Sequence, residues 1–121
     1  MSLEIPLVNL PTENGSYKIV QFYINNNPYL RFGEKGTDFH KYIIIRLCNE
    51  FNKDVEFMKD DIPKLKTLWY KVCGMGISNL NIEHKIITTK DIESFDYHLG
   101  LNLNHLDLIK KQHPEWNFII K

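Results

Sequence analysis

The chain is poor in the features that mark disulfide-stapled, zinc-bound, membrane-spanning or polyanion-binding proteins. It has two cysteines, Cys48 and Cys73, without metal-ligand spacing to each other. Free thiols in a reducing compartment are expected rather than a disulfide framework. No two histidines stand at i, i+4 on one helix, so no zinc site and no other metal is expected. Neither charge sign is in surplus, with 15 Lys+Arg against 15 Asp+Glu. That argues against non-specific nucleic-acid binding, which needs excess cations. It leaves room for a local basic patch, because net charge does not report distribution. No apolar run approaches the ~18 residues of a membrane span. Glu4, Pro6, Asn9 and Pro11 interrupt any signal-peptide hydrophobic region. A cytoplasmic monomer with no cofactor and no membrane or nucleic-acid partner is expected. Repeats and low-complexity tracts are absent, and Gly74 and Gly76 lack the rest of a dinucleotide fingerprint or P-loop.

What is present suits one domain spanning residues 1–121. Hydrophobic residues are 43% and charged residues 25%, enough for a single core. Glu13–Ser16 and Asn25-Asn26-Asn27-Pro28 read as turns. Between them, Tyr17–Ile24 is β-branched and aromatic, which predicts a strand. Tyr17, Ile19, Gln21 and Tyr23 share one face; Lys18, Val20, Phe22 and Ile24 share the other. Lys18 thus heads an apolar row. Either its stem snorkels outward, or its ammonium overlooks a cleft at the sheet edge.

Tyr29–Gly33 predicts a second short strand, followed by a polar loop at Glu34-Lys35-Gly36. Thr37 suits a helix N-cap. Phe39, Ile43, Leu47 and Phe51, with Ile44 and Cys48 beside them, form the i, i+4 stripe of an amphipathic helix. Ile43-Ile44-Ile45 favours a strand locally; the stripe and the cap favour the helix. Val55, Phe57 and Met58 read as a short strand or a helix tail. Thr67–Cys73 reads as a strand ended by Gly74-Met75-Gly76, and Lys85–Thr89 as another. Leu101–Gln112 predicts a second helix, with Leu103, Leu106 and Ile109 on one face and Pro114 after its end. Trp116–Ile120 closes as a strand. The expected class is α/β (α+β): one domain with a mixed five- to six-stranded sheet flanked by two main helices.

His40 stands out because it begins the better helix, where exposed backbone N–H groups bind anions. Lys18 and Arg31 supply cations upstream. The order of short motifs is also familiar: Ile5-Pro6-Leu7-Val8 and Gly15 before Tyr17-Lys18; Arg31, then Asp38-Phe39-His40 leading into a helix; Cys73-Gly74-Met75-Gly76-Ile77-Ser78, then Lys85-Ile86; and Ser94-Phe95-Asp96-Tyr97, then His105, a helix and an aromatic strand. In this order and at this length the chain resembles the Janus/Ocnus family of phosphohistidine phosphatases. The resemblance implies one α/β domain that hydrolyses the P–N bond of phosphohistidine in proteins without a metal.

Transferred by position, His40 is the implied catalytic residue, as general base or nucleophile. The implied phosphate- and substrate-binding residues are Lys18, Arg31, Phe39, Lys41 and Ser94. Phe39 and Lys41 flank His40 in the helix's first turn. His105 matches a later histidine; its spacing alone reads as structural. His84, His98 and His113 read as surface residues. Two departures point to an alternative. Family members usually carry an arginine where Gly76 precedes Ile77-Ser78, and Asp96 adds a carboxylate to the serine motif. The alternative is a catalytically weak or inactive module that binds phosphorylated or acidic peptides.

Overall fold

Alternation along the first strand sets up both faces of the molecule. The computed structural model describes residues 5–35, 39–59, 61–90 and 97–121. In chain order the elements are β1 (Gly15–Ile24), β2 (Asn27–Phe32), α1 (His40–Glu50), β3 (Phe57–Lys59), β4 (Ile62–Pro63), β5 (Lys71–Asn81), β6 (Ile86–Lys90), α2 (Leu103–Gln112) and β7 (Asn117–Ile120). Five strands form a mixed sheet in the order β2-β1-β5-β6-β7, and β3 pairs with β4. Val20, Phe22 and Ile24 pack with Ile43, Ile44, Leu47 and Cys48 of α1. On the opposite face Tyr17 and Ile19 pack with Leu106 and Ile109 of α2. The sheet therefore lies between two helices, as expected for this α+β class.

The β1–β2 connection is a two-residue hairpin in which Asn25 and Asn26 take φ of 51° and 65°. This left-handed pair is the type I′ turn that matches strand twist, and asparagine tolerates it. Pro28 belongs to β2 and not to the turn. As β2 is an edge strand, a missing N–H there is tolerable. The preceding segment covers that edge: Val8 pairs with Leu30, and Leu30 N–H donates to Leu7 O at 2.8 Å.

Three expectations need correction. The helix does not begin on a Thr37 cap. Its N-cap is Phe39, without a side-chain cap bond, and Thr37 lies outside the described residues. The Ile43–Ile45 conflict resolves as helix because Ile43 and Ile44 are buried against β1, so tertiary packing outweighs local propensity. Second, Gly74-Met75-Gly76 is no loop. It runs through the middle of β5, which starts at Lys71 and not Thr67. The Thr67 hydroxyl instead accepts from the N–H groups of Trp69 and Tyr70, both at 3.3 Å, in a turn. The glycines serve close approach: a Cβ at Gly74 would lie 2.7 Å from Asn102 N, and one at Gly76 2.8 Å from Lys90 O. Third, Leu103 is exposed; α2 buries His105, Leu106 and Ile109.

His105 pins α2 to the sheet. Its Nε2 lies 2.9 Å from Phe22 O and 3.1 Å from Tyr29 O, and carbonyls only accept, so Nε2 carries the proton. Nδ1 then accepts from Gln21 Nε2 at 3.1 Å. Gln21 also accepts from Asn102 N–H at 2.8 Å, and Asn102 caps α2 by accepting from His105 N–H at 3.0 Å. After α2 the chain returns as β7, parallel to β6, the crossover that parallel strands require.

Candidate functional site

The first turn of α1 meets the sheet where β1 and β5 pair. His40 is the first helical residue and is 8% exposed. Its Nε2 lies 3.1 Å from Gly76 O. The carbonyl can only accept, so this bond assigns the proton to Nε2, and the neutral ring carries its lone pair on Nδ1. The bond ties the ring to a rigid central strand, which fixes its orientation.

Lys18 reaches the same corner. It lies on the α1 side of β1, in the row of Val20, Phe22 and Ile24. Its cross-strand partner on β5 is Ile77, next to the Gly76 that holds His40. Its Nζ sits 4.9 Å from the centroid of the Phe39 ring. Phe39 is 51% exposed, so this ring does not join the core stripe expected of it. It offers its face to cations instead, a contact worth about 0.5–1 kcal/mol at an exposed site. Lys41 Nζ is 5.9 Å from the same ring and donates to Asp61 Oδ2 at 2.7 Å. That hydrogen bond from Lys41 holds the Asp61 carboxyl below the usual range. Lys18, Phe39, His40 and Lys41 are therefore neighbours.

Arg31 is not among them, which corrects the expectation from the sequence. It is 2% exposed, and its guanidinium is committed elsewhere. Nε donates to Glu50 Oε2 at 2.8 Å, Nη1 to Leu7 O and Leu30 O at 3.0 Å each, and Nη2 to Pro6 O at 2.6 Å. Glu50 is ten residues beyond His40 on α1, about 15 Å along the axis at 1.5 Å per residue. Arg31 clamps the N-terminal segment and the far end of the helix. Ser94 lies outside the described residues. Of the other histidines, His84 and His98 are exposed, and His113 lies 3.3 Å from Glu115 at the end of α2.

A cleft of about 270 Å³ opens on the same sheet face, lined by Ser16, Ile77, Asn79, Thr88, Lys90 and Lys121. A larger groove of about 480 Å³ lies around Tyr23, Asn25, Trp69 and Lys71. It sits at the other end of β1, about 17 Å from Lys18 at strand rise, and is lined by none of the described candidate residues. Sequence reasoning missed the Gly76 carbonyl, Lys90 and Lys121. With β5 running through its glycines, the cross-strand register places Ile77 and Lys90 on the face of Lys18.

Both thiols are free, and burial pushes Cys73 up to about 12 and raises Cys48, so neither suits nucleophilic work. Among the described residues, no three His, Cys, Asp or Glu side chains are grouped to hold a metal ion, and no helix is long and apolar enough to cross a membrane. No protein-family model matches the chain, and no curated protein matches it.

Proposed function

We propose that the chain is a metal-independent protein phosphohistidine phosphatase of the Janus/Ocnus type, with His40 as the catalytic base. The observation that carries this reading is the anchored imidazole beside a cation: Nε2 of His40 is held by Gly76 O, while Lys18 stands over the adjoining Phe39. In this reading the phosphoryl group lies at the helix start, against backbone N–H groups and the Lys18 ammonium. Water attacks phosphorus, a P–O bond forms and the P–N bond breaks. Nδ1 of His40 takes the water's proton. The substrate imidazole, protonated on its distal nitrogen, leaves neutral with the electron pair of the broken bond. The Gly76 carbonyl, accepting from Nε2–H, favours the imidazolium that forms. Direct attack by Nδ1 on phosphorus uses the same tautomer and is the variant of this mechanism.

The test is phosphate release from a phosphohistidine-bearing protein. His40→Ala is expected to lose roughly 100-fold or more, the scale of a general base. Equal rates for wild type and variant remove His40 from the mechanism. A second reading, a module that binds phosphorylated or acidic peptides without turnover, is favoured by one observation. The position of the family's arginine is Gly76, inside β5, where a Cβ would meet Lys90 O at 2.8 Å. Saturable binding of a phosphohistidine analogue with no phosphate release selects that reading.

A further inference from the structure

Resting on the reading of this corner as a phosphohistidine site, we infer that the adjoining cleft receives an extended acidic segment of the substrate protein, paired with a row of lysines across the sheet. The register creates the row. Lys18 on β1 stands opposite Ile77 on β5, and Ile77 stands opposite Lys90 on β6. Thr89 pairs with Ile120 on parallel β7, and Lys121 N–H donates to Thr89 O at 2.9 Å, so Lys121 continues the row beyond Lys90. Lys90 and Lys121 line the cleft with Ser16, Ile77, Asn79 and Thr88, and among the described residues no Asp or Glu side chain lines it. The chain's charge is balanced overall, so this is a local concentration of one sign.

The floor suits a peptide. Packing of α1 against this face involves Val20, Phe22, Ile24, Val72 and Met75, and the cleft residues lie outside that cluster. Ser16, Asn79 and Thr88 offer hydrogen-bonding side chains around the apolar Ile77. Lys18 to Lys121 spans three interstrand steps, about 14 Å, or roughly four residues of extended chain. The preferred substrate therefore carries Asp or Glu within about four residues of its phosphohistidine, on the side that lies over β6 and β7. Lys90 and Lys121 select the partner; they do not touch the reacting phosphorus.

The experiment measures binding of an unphosphorylated Asp/Glu-rich decapeptide with a central histidine to the full chain, alongside its Asn/Gln counterpart. The acidic peptide is expected to bind more tightly, with affinity falling as salt rises. Lys90→Glu with Lys121→Glu is expected to weaken it roughly tenfold, the sum of reversing two exposed charges. Lys53→Glu with Lys111→Glu makes the same charge change at exposed positions outside the cleft and is expected to retain binding. NMR shifts at Ile77, Asn79 and Thr88 should accompany binding. Equal affinity for the two peptides, an unaltered affinity in the double variant, or tighter binding of a single-stranded oligonucleotide of equal charge overturns the proposal. Turnover of free phosphohistidine by the wild type is measured separately. Its absence counts against the phosphatase reading, while the peptide result judges the cleft by itself.

Discussion

His40 and Gly76 are 36 positions apart in sequence, and the ring of one donates to the backbone carbonyl of the other at 3.1 Å. This bond joins the first turn of α1 to the centre of β5. It also couples the strand's packing to the imidazole, because Gly76 lies against Lys90 O, where a side chain has no room. Gly76→Ala is expected to destabilise the protein by about 1–3 kcal/mol, as overpacking does, and to slow phosphate release beyond the loss of folded protein by moving the carbonyl. Gly74→Ala, whose Cβ would meet Asn102 N at 2.7 Å and the bonded Gln21 side chain, is expected to destabilise more. Its activity per folded molecule is expected to be retained. Urea denaturation and rates normalised to folded protein separate the two effects.

Arg31 gives the opposite pattern. Arg31→Met removes donors to Glu50, Pro6, Leu7 and Leu30; Leu7 O keeps the Leu30 N–H, while Pro6 O loses the Arg31 donor. A loss of about 1–3 kcal/mol in unfolding free energy is expected, the scale for a buried polar group left without its partner, because Glu50 itself is exposed. KM for a phosphohistidine protein is expected to stay within twofold, since the guanidinium is directed away from His40. A large rise in KM with intact stability places Arg31 at the phosphate after all.

Phe39→Ala tests the ring between the lysines. The side chain is exposed, so stability is expected to change by no more than about 1 kcal/mol. Phosphate affinity is expected to fall severalfold as Lys18 loses its support at 4.9 Å. Unaltered affinity assigns the ring a purely superficial role.

His105 predicts how stability depends on pH. Desolvation lowers its pKa from 6.5, the hydrogen bonds to Phe22 and Tyr29 opposing in part. Below 6.5 the unfolded chain takes up this proton more readily than the folded one. The folded state thus loses stability as pH falls from 6.5 toward the lowered value. Protonation at Nδ1 also turns the contact with Gln21 Nε2 into donor against donor. Urea unfolding at pH 7.5 and 5.5 is expected to show a smaller fall for His105→Gln than for wild type, with the variant less stable at pH 7.5. Equal slopes remove His105 as a contributor.

Period-2 and period-3.6 patterns made much of this fold legible. Tyr17–Ile24 revealed both sheet faces, and Ile43, Leu47 and Cys48 marked the buried stripe of α1. The glycines misled because their usual meaning is backbone freedom; here they clear space for Asn102 and Lys90 within a strand. Arg31 misled because a guanidinium suits phosphate and carbonyl oxygens equally well, and only the path of Pro6 and Leu7 decides between them. The lysine row was hidden because it is made by register across four strands, which local pattern does not encode.

The proposed catalysis requires His40 and Lys18 to share one anion. The most direct measurement is an NMR titration with inorganic phosphate, following the imidazole nitrogens of His40 and Nζ of Lys18 together. Both are expected to shift along one saturation curve, with Nε2 of His40 remaining protonated. A response at Lys18 with none at His40, or two curves with different dissociation constants, contradicts it.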